Sequence, residues 1–412
     1  MFSVSSWPKA IAHIDADAFF VECERATNPY LKDRCVATGK ERGIITALSY
    51  EAKAKGIKRG MMVYEAKRIC PEIVIIESDY EKYSLFSIRM FDILRRFSPV
   101  VEEYSVDEAF MNLTGLRRLY HSSYEKIAKT IQETIKRELD ISVSIGIAPT
   151  KVLAKLGSKL NKPYGITAIK AKEIHIYLKN IRVEDIWGIG KNTAALLYKF
   201  NIKTALDFAN QNEYFIRRYL SKPYIAIYKE LKGESVIPID EKSKTSYKSI
   251  SKAKSFHKAI NDKDILLGEL INNLEKACQK ARRYKLAAKR LIVFLKTDDF
   301  KTYTAKINLK TASNIPNILT DSLKSGFMSI YKENTSYRQT GVALAELTTK
   351  TMYDLFDNID RIKKANHLYE AVDKINATYG TKTIRLARSS MAVEKKKGRK
   401  KVGVPLLQTI KI

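Results

Sequence analysis

Short apolar runs with strand character alternate with stretches of helical periodicity along the chain, the layout of an α+β protein. Ala10-Ile11-Ala12-His13-Ile14 is one such run. It ends in Asp15-Ala16-Asp17 and passes into Phe19-Phe20-Val21, where a helix is predicted to start. Residues 101–114 read as a second buried strand, with Val101, Val106, Phe110 and Leu113 apolar and Tyr104 and Phe110 suited to a pleated surface. Helical spacing over 79–98 and 124–139 predicts two core helices, the second leading into a strand at 141–148. Thr150 is placed to cap a further helix, with Val152, Leu153, Leu156 and Leu160 on one face and Lys151, Lys155, Lys159 and Lys162 as a stripe on the other. Between the first two strands, residues 23–78 form a small mixed segment, with a strand expected at 42–50 and a short helix from Glu51 stopped by Gly56. Beyond a polar linker at 233–246, helices at 264–285 and 315–332 and strands at 289–296, 301–309 and 337–347 predict a second α+β domain. A helix follows around 359–378.

Acidic residues cluster at the ends of the first two strands. Asp15 and Asp17, two apart, would share a face of a strand. Asp107 and Glu108 are adjacent, so a regular strand would send them to opposite sides; both reach one site only if the chain bends or ends there. Buried carboxylates must find a partner or a cation. If the two strands are neighbours, three or four converging carboxylates would suit a hard divalent cation such as Mg²⁺.

Charge narrows the partners. Of 412 residues, 74 are Lys or Arg and 45 are Asp or Glu, a net charge of +29. An excess of that size suits a polyanion, nucleic acid first. No apolar run approaches the roughly 18 residues of a membrane span, and the N-terminus has no secretory pattern, so a cytoplasmic protein without membrane contact is expected. Cys23, Cys35, Cys70 and Cys278 lack metal-finger spacing and read as free thiols in a reducing compartment.

Several basic segments fit such a partner. Residues 183–198 follow a helix, Gly188-Ile189-Gly190, helix pattern with Lys191 immediately after. The glycines allow backbone N–H groups to approach a phosphate, giving Gly188, Gly190 and Lys191 as candidate DNA contacts. The stretch from Ser246 to Ser255 alternates, with basic and hydroxyl residues expected outward, which makes Lys248 and Lys252 further candidates. Tyr50 and Lys53 would share a helix face and could hold a triphosphate, although spacing alone also fits a solvated helix edge. The basic run 395–401 reads as a tail adding non-specific affinity.

Taken together, Ile14-Asp-Ala-Asp-Ala-Phe-Phe20, Tyr104-Ser-Val-Asp-Glu-Ala-Phe110, Ser144-Ile-Gly-Ile-Ala-Pro-Thr-Lys-Val-Leu-Ala-Lys155 and Asn161-Lys-Pro-Tyr-Gly165 stand in an order that resembles the Y-family DNA polymerases of the DinB and UmuC kind, over about residues 10–350. The resemblance implies a right-hand α+β fold: a ferredoxin-like palm (1–22 and 79–169), small fingers (23–78), a helical helix-hairpin-helix thumb (170–240), a separate α+β little finger (241–350) and a C-terminal tail (351–412). It implies that Asp15, Asp107 and Glu108 are catalytic ligands of two Mg²⁺ ions, with Asp17 beside them. Tyr50, Lys53 and Lys162 would hold the triphosphate, with backbone N–H groups of the segment from Ala16 through Phe19 to Phe20. Phe20 would be the steric gate that excludes a ribose 2′-hydroxyl. Lys53 stands where arginine is common in the family, keeping charge while losing bidentate geometry. Met352-Tyr353-Asp354-Leu355-Phe356 resembles the family's sliding-clamp peptide, through Tyr353, Leu355 and Phe356, with methionine in place of the usual glutamine. The implied partners are primer-template DNA, deoxynucleoside triphosphates and a sliding clamp, for a monomer that does low-fidelity translesion synthesis.

Two other readings use the same acids. A nucleotidyl cyclase or glycosyltransferase also pairs carboxylates with a metal and a nucleotide, but needs neither the basic excess nor a helix-hairpin-helix. A DNA-binding protein with a decayed centre is the other; the intact acids and the aromatic at 20 argue against it.

Overall fold

The computed structural model describes residues 7–241, 247–349, 359–380, 383–387 and 389, in two units that divide at 243/244. Its strands, in chain order, are β1 (Ile11–Ala16), β2 (Val36–Thr38), β3 (Ala47–Leu48), β4 (Val74–Ile76), β5 (Val101–Glu103), β6 (Glu108–Asn112), β7 (Val143–Ala148), β8 (Ile166–Ala168), β9 (Ser249–Ile260), β10 (Ala287–Thr297), β11 (Thr302–Ser313) and β12 (Tyr337–Thr348).

In the first unit a five-stranded sheet runs β5-β6-β1-β7-β8. The two acid-bearing strands are neighbours: β1 pairs antiparallel with β6 on one side and with β7 on the other. One face of the sheet, carrying Ala12, Ile14, Ala109, Met111, Val143, Ile145 and Ile147, packs under the helices Tyr80–Phe97 and Tyr124–Leu139. Both helices follow from local sequence. Asp79 and Ser123 accept backbone N–H groups at their N-termini, and Arg95, Arg96, Lys136 and Arg137 sit in their last turns, where the carbonyl ends favour positive charge.

The opposite face takes the helix Lys151–Leu160, capped by Thr150, whose hydroxyl accepts the Leu153 N–H at 3.3 Å. Gly146 of β7 makes that approach possible: a Cβ there would stand 2.0 Å from the Ala154 carbonyl oxygen and 2.3 Å from the Ser158 nitrogen. This helix and the helical segment 174–231 share a core with Ile11, Phe110 and Ala148.

The segment 23–78 forms a separate three-stranded sheet, β3-β2-β4, with its own small core of Ile45, Ala52, Ile57, Ala66 and Ile73. The strand expected at 42–50 shrinks to Ala47–Leu48. Gly43, at φ 71°, closes a tight turn after Lys40–Arg42, and only an isolated bridge from Ile44 to Met62 precedes β3. Ahead of Gly188 the expected helix is reduced to a single turn at Val183–Asp185, whereas the helix after it, Lys191–Lys199, is present.

The second unit is an antiparallel sheet, β11-β10-β12-β9, with the helices Lys263–Arg283 and Pro316–Ile330 on one face. Each expected strand and helix here forms within a few residues of its predicted bounds. The helix Ile359–Tyr379 belongs to this unit. Arg282 pairs with Asp373 through two contacts of 2.7 and 2.9 Å, and the Tyr369 hydroxyl donates to Asn317 at 2.8 Å. Tyr353, Leu355 and Phe356 lie outside the described residues.

Candidate active site

Register builds the site. On β1, His13 and Asp15 point away from the face packed under Tyr80–Phe97 and Tyr124–Leu139, and the pairing sets Asp15 directly opposite Glu108 on β6 and opposite Ser144 on β7. The chain bends at residues 105–107 and β6 begins only at Glu108. The Asp107 carbonyl accepts the Ala16 N–H at 2.9 Å, which ties this bend to the end of β1. The bend resolves the difficulty of adjacent acids: Glu108 projects from the strand and Asp107 from the turn ahead of it. Burial raises the Asp15 pKa to about 6; Lys162 opposes that rise, while the charges of Glu108 and Asp107 add to it. The three carboxylates thus sense one another.

Two lysines balance this charge. Lys162 Nζ lies 2.5 Å from Asp15 Oδ1 and 3.5 Å from Asp17 Oδ1. Lys155 forms a short ion pair with Glu108 and sits 4.6 Å from the ring centre of Tyr104 and 5.8 Å from that of Trp187. Burial works to raise Glu108, but Lys155 outweighs it and holds the carboxyl below the usual carboxylate range. His13 is buried; its Nδ1 is 2.8 Å from Ser158 Oγ, and Nε2 faces Glu108 at 3.8 Å, beyond hydrogen-bond reach. Ser158 donates its own proton to the Lys155 carbonyl, so Nδ1 is the donor and Nε2 is bare. Burial pushes this imidazole down to about 4, and it is neutral at physiological pH.

Asp17 lies just past the end of β1 at Ala16, on the same side as Asp15: Lys162 reaches both, and Ser144, which stands opposite Asp15, bonds Asp17. Asp17 is completely buried. It accepts the Ser144 hydroxyl at 2.8 and 3.0 Å, the Tyr164 N–H at 2.9 Å and the Tyr50 hydroxyl at 3.4 Å. Asp107 is half-buried, and its carboxylate has no hydrogen bond or ion pair with any described residue.

The predicted nucleotide contacts gather on the same side. Lys53 is exposed, with Nζ 5.6 Å from the Tyr50 ring centre, so the two do share a helix face. Phe20 stacks on Tyr83 at 4.3 Å and 13°, and Tyr83 is in turn fully buried and donates to Glu24 at 2.9 Å. Of the backbone donors expected from Ala16 to Phe20, the Ala16 N–H is spent on Asp107 and that of Asp17 on the Ser142 carbonyl. Phe19 and Phe20, opening the helix Phe19–Thr27, have no intrahelical acceptor and stay available.

Other predicted contacts are redistributed. Lys151 and Lys155 are buried, paired with Glu102 and Glu108, so the lysine stripe is half structural and only Lys159 and Lys162 are open to a phosphate. Gly188 and Gly190 are exposed, Gly188 at φ 93°, and Lys191 opens its helix in solvent. Lys248 is exposed. Lys252 is not outward-facing: it lies on the side of β9 that holds the buried Ile250, and burial beside Lys280 lowers its pKa. Outward positions of that strand are Ser249, Ser251, Ala253 and Ser255. The basic residues of the open sheet face come from strands further across the sheet, Arg290 and Lys296 on β10 and Lys306 and Lys310 on β11. Pattern reading of one strand missed them because outward direction depends on which face the helices cover.

Residues 14–159 match the impB/mucB/samB family, and residues 247–355 match the C-terminal domain of that family. DNA polymerase IV 1 of Bacillus subtilis (strain 168) is 31% identical over 385 residues, which is 92% of each chain. The chain belongs to the Y-family of DNA polymerases. DNA polymerase IV of Caulobacter vibrioides is 29% identical, covering 92% of this chain and 94% of that one. Among solved structures, a Y-family DNA polymerase chimera of Dbh and Dpo4 superposes with a TM-score of 0.69, at 23% identity over 83% of this chain and all of that chain. This Y-family chain is of the DinB type, a DNA-directed DNA polymerase of translesion synthesis.

Proposed function

We propose that Asp15, Asp107 and Glu108 form the polymerase's metal centre and hold two Mg²⁺ ions. The observation that carries this is the direct cross-strand opposition of Asp15 and Glu108, with the bend at 105–107 bringing in Asp107. The donors fit the ion: all are hard carboxylate oxygens, and burial with mutual repulsion raises Asp15, the behaviour of a site short of positive charge. The ions would supply activation of a primer 3′-hydroxyl and neutralisation of the triphosphate at which it attacks.

The chain's own residues do the rest. Lys155 keeps Glu108 ionised and oriented. Lys162 can turn from Asp15 towards the triphosphate, alongside the Tyr50 hydroxyl, Lys53 and the free N–H groups of Phe19 and Phe20. Phe20, backed by buried Tyr83, presents a rigid ring where the sugar of an incoming nucleotide would lie.

The five-stranded sheet then serves as palm (to 22 and 79–169), with 23–78 as fingers, 170–240 as thumb and the second unit's sheet as little finger. Its open face, with Lys306, Lys310, Arg290 and Lys296 among threonines and serines, suits a duplex backbone rather than base edges. Exposed Gly188, Gly190 and Lys191 supply a second backbone contact. Among the described residues no helix is long and apolar enough to cross a membrane, and the curated relatives are bacterial DNA polymerase IV; we place the enzyme in the cytoplasm. Contact with a sliding clamp through Tyr353, Leu355 and Phe356 is the reading their motif supports. Replacing Asp15 with Asn tests the centre: primer extension is lost while primer-template affinity persists, and undiminished extension would remove Asp15 from it.

A further inference from the structure

A second group of ligating side chains lies far from these carboxylates in chemistry. Cys35 directly precedes β2, Cys70 ends the helix Val63–Ile69, and Glu72 lies in the loop entering β4. β2 and β4 pair in parallel, and the Cys35 carbonyl accepts the Val74 N–H at 2.9 Å, which brings the three together although 34 residues separate the cysteines in sequence. The two sulfurs and a Glu72 oxygen all lie within 4.8 Å of one another. Both thiols are buried and Glu72 is exposed, so the group opens to solvent on its carboxylate side.

We propose that Cys35, Cys70 and Glu72 form a site for a borderline-soft divalent cation of the zinc class. The donor set decides the class: two thiolates and one carboxylate oxygen suit Zn²⁺ and exclude Mg²⁺ and Ca²⁺, which take oxygen ligands. The spacing agrees. Tetrahedral bonds of about 2.3 Å to sulfur set two thiolates roughly 3.8 Å apart, and the shorter bond to oxygen sets the third ligand closer still. Water completes the fourth position on the exposed side.

A cation already marks the place. Lys55, which ends the helix Tyr50–Ala54, directs its ammonium into the group, in a short ion pair with Glu72 and 3.9 Å from the Cys70 sulfur. Metal binding replaces both S–H bonds with S–metal bonds, releases two protons to solvent and displaces Lys55 from Glu72. No electron is transferred. The lysine is a flexible, half-exposed side chain, so displacement costs little packing. The bound ion would tie the start of β2 to the end of the Val63–Ile69 helix, stiffening the 23–78 segment. Lys55, freed of Glu72, would add charge at the end of the helix that bears Tyr50 and Lys53.

Co²⁺ distinguishes this site from the carboxylate centre, since only thiolate ligands give a sulfur-to-cobalt charge-transfer band in the near ultraviolet. Full-length, fully reduced protein titrated with Co²⁺ is expected to develop that band at one equivalent and to lose it on adding Zn²⁺. Cys35→Ser and Cys70→Ser abolish the band, and Asp107→Ala plus Glu108→Ala leaves it intact. Because Glu72 and Lys55 are exposed, their variants keep the fold: Glu72→Gln weakens Co²⁺ binding about tenfold or more, and Lys55→Ala strengthens it. No band from protein whose four thiols titrate as reduced, or a band that survives both serine substitutions, overturns the proposal. Co²⁺ affinity unchanged by Glu72→Gln removes Glu72 from the ligand set and overturns the three-ligand site.

Discussion

The buried carboxylate of Asp17 accepts the backbone N–H of Tyr164 at 2.9 Å, so the second acid of the Asp-Ala-Asp motif anchors the loop that delivers Lys162 to Asp15. Ser144 and Tyr50 also donate to it, and Lys162 Nζ lies 3.5 Å from its Oδ1. An amide has a single acceptor oxygen and cannot satisfy all of these donors. Asp17→Asn is therefore expected to loosen Lys162 and Tyr50, raising KM for the incoming nucleotide more than it lowers kcat. The stranded donors cost about 1–3 kcal/mol of stability. A KM equal to wild type, with a normal melting temperature, would show that Asp17 anchors nothing of consequence.

Phe20 is held by the face of Tyr83 at 4.3 Å. With the ring removed, a ribose 2′-hydroxyl meets no obstruction, and Phe20→Ala should raise ribonucleotide insertion about tenfold or more, the effect of some 1.4 kcal/mol on the barrier. Ratios of ribonucleotide to deoxynucleotide kcat/KM for the two proteins check this. Unaltered sugar discrimination removes Phe20 from the gate.

The lysines that follow Thr150 divide into two kinds. Lys151 reaches Glu102 at 2.6 Å and the Pro238 carbonyl at 3.1 Å, and it lies 4.5 Å from the Phe110 ring centre. Lys151→Met strands a mostly buried carboxylate and is expected to lower stability by about 3 kcal/mol. Exposed Lys159→Ala should leave the melting temperature unchanged and weaken DNA binding only. Thermal melts of the two variants, side by side, separate the roles.

His13 links stability to acid. Its pKa is about 4 in the fold against 6.5 for an ordinary imidazole, so between those values the unfolded chain binds the extra proton. Stability from this group is intact above about pH 6.5 and falls as the pH drops towards 4, by up to about 3 kcal/mol. Urea midpoints across this range should decline more steeply for wild type than for His13→Gln. Parallel profiles would mean that His13 is charged in the folded protein.

On the second unit, Lys306 and Lys310 face outward from β11 while Lys252 is directed to the helix side of β9. Replacing both Lys306 and Lys310 with Ala should weaken primer-template binding and reduce the slope of log affinity against log salt by about 0.9 for each phosphate that is no longer neutralised. Lys252→Ala should change neither. Binding isotherms at several salt concentrations decide between them.

Much of this architecture was legible in the residue pattern because each strand and helix carries a strong local period. The acidic strand ends, the Thr150 cap and the second unit's elements all formed where that period placed them. What escaped was set by register and by neighbours. Asp17 keeps the Asp15 side, but its complete burial and its bonds to Ser144, Tyr164 and Tyr50 depend on partners distant in sequence. Lys155 and Lys151 belong to the basic stripe read from the sequence as able to meet phosphate, but a glycine at 146 lets their helix lie against the sheet and buries them beside acids distant in sequence. Cys35, Cys70 and Glu72 have no recognisable spacing; parallel pairing of β2 and β4 alone brings them together.

Primer extension tests the metal centre most directly. A labelled primer on a DNA template, with Mg²⁺ and deoxynucleotides, is offered to wild type and to Asp107→Ala plus Glu108→Ala, with primer-template affinity measured for both. The wild type extends the primer, and the variant binds equally well and extends by less than a hundredth of that rate. Extension by the variant at a rate near wild type would contradict the assignment of Asp107 and Glu108 as the catalytic pair.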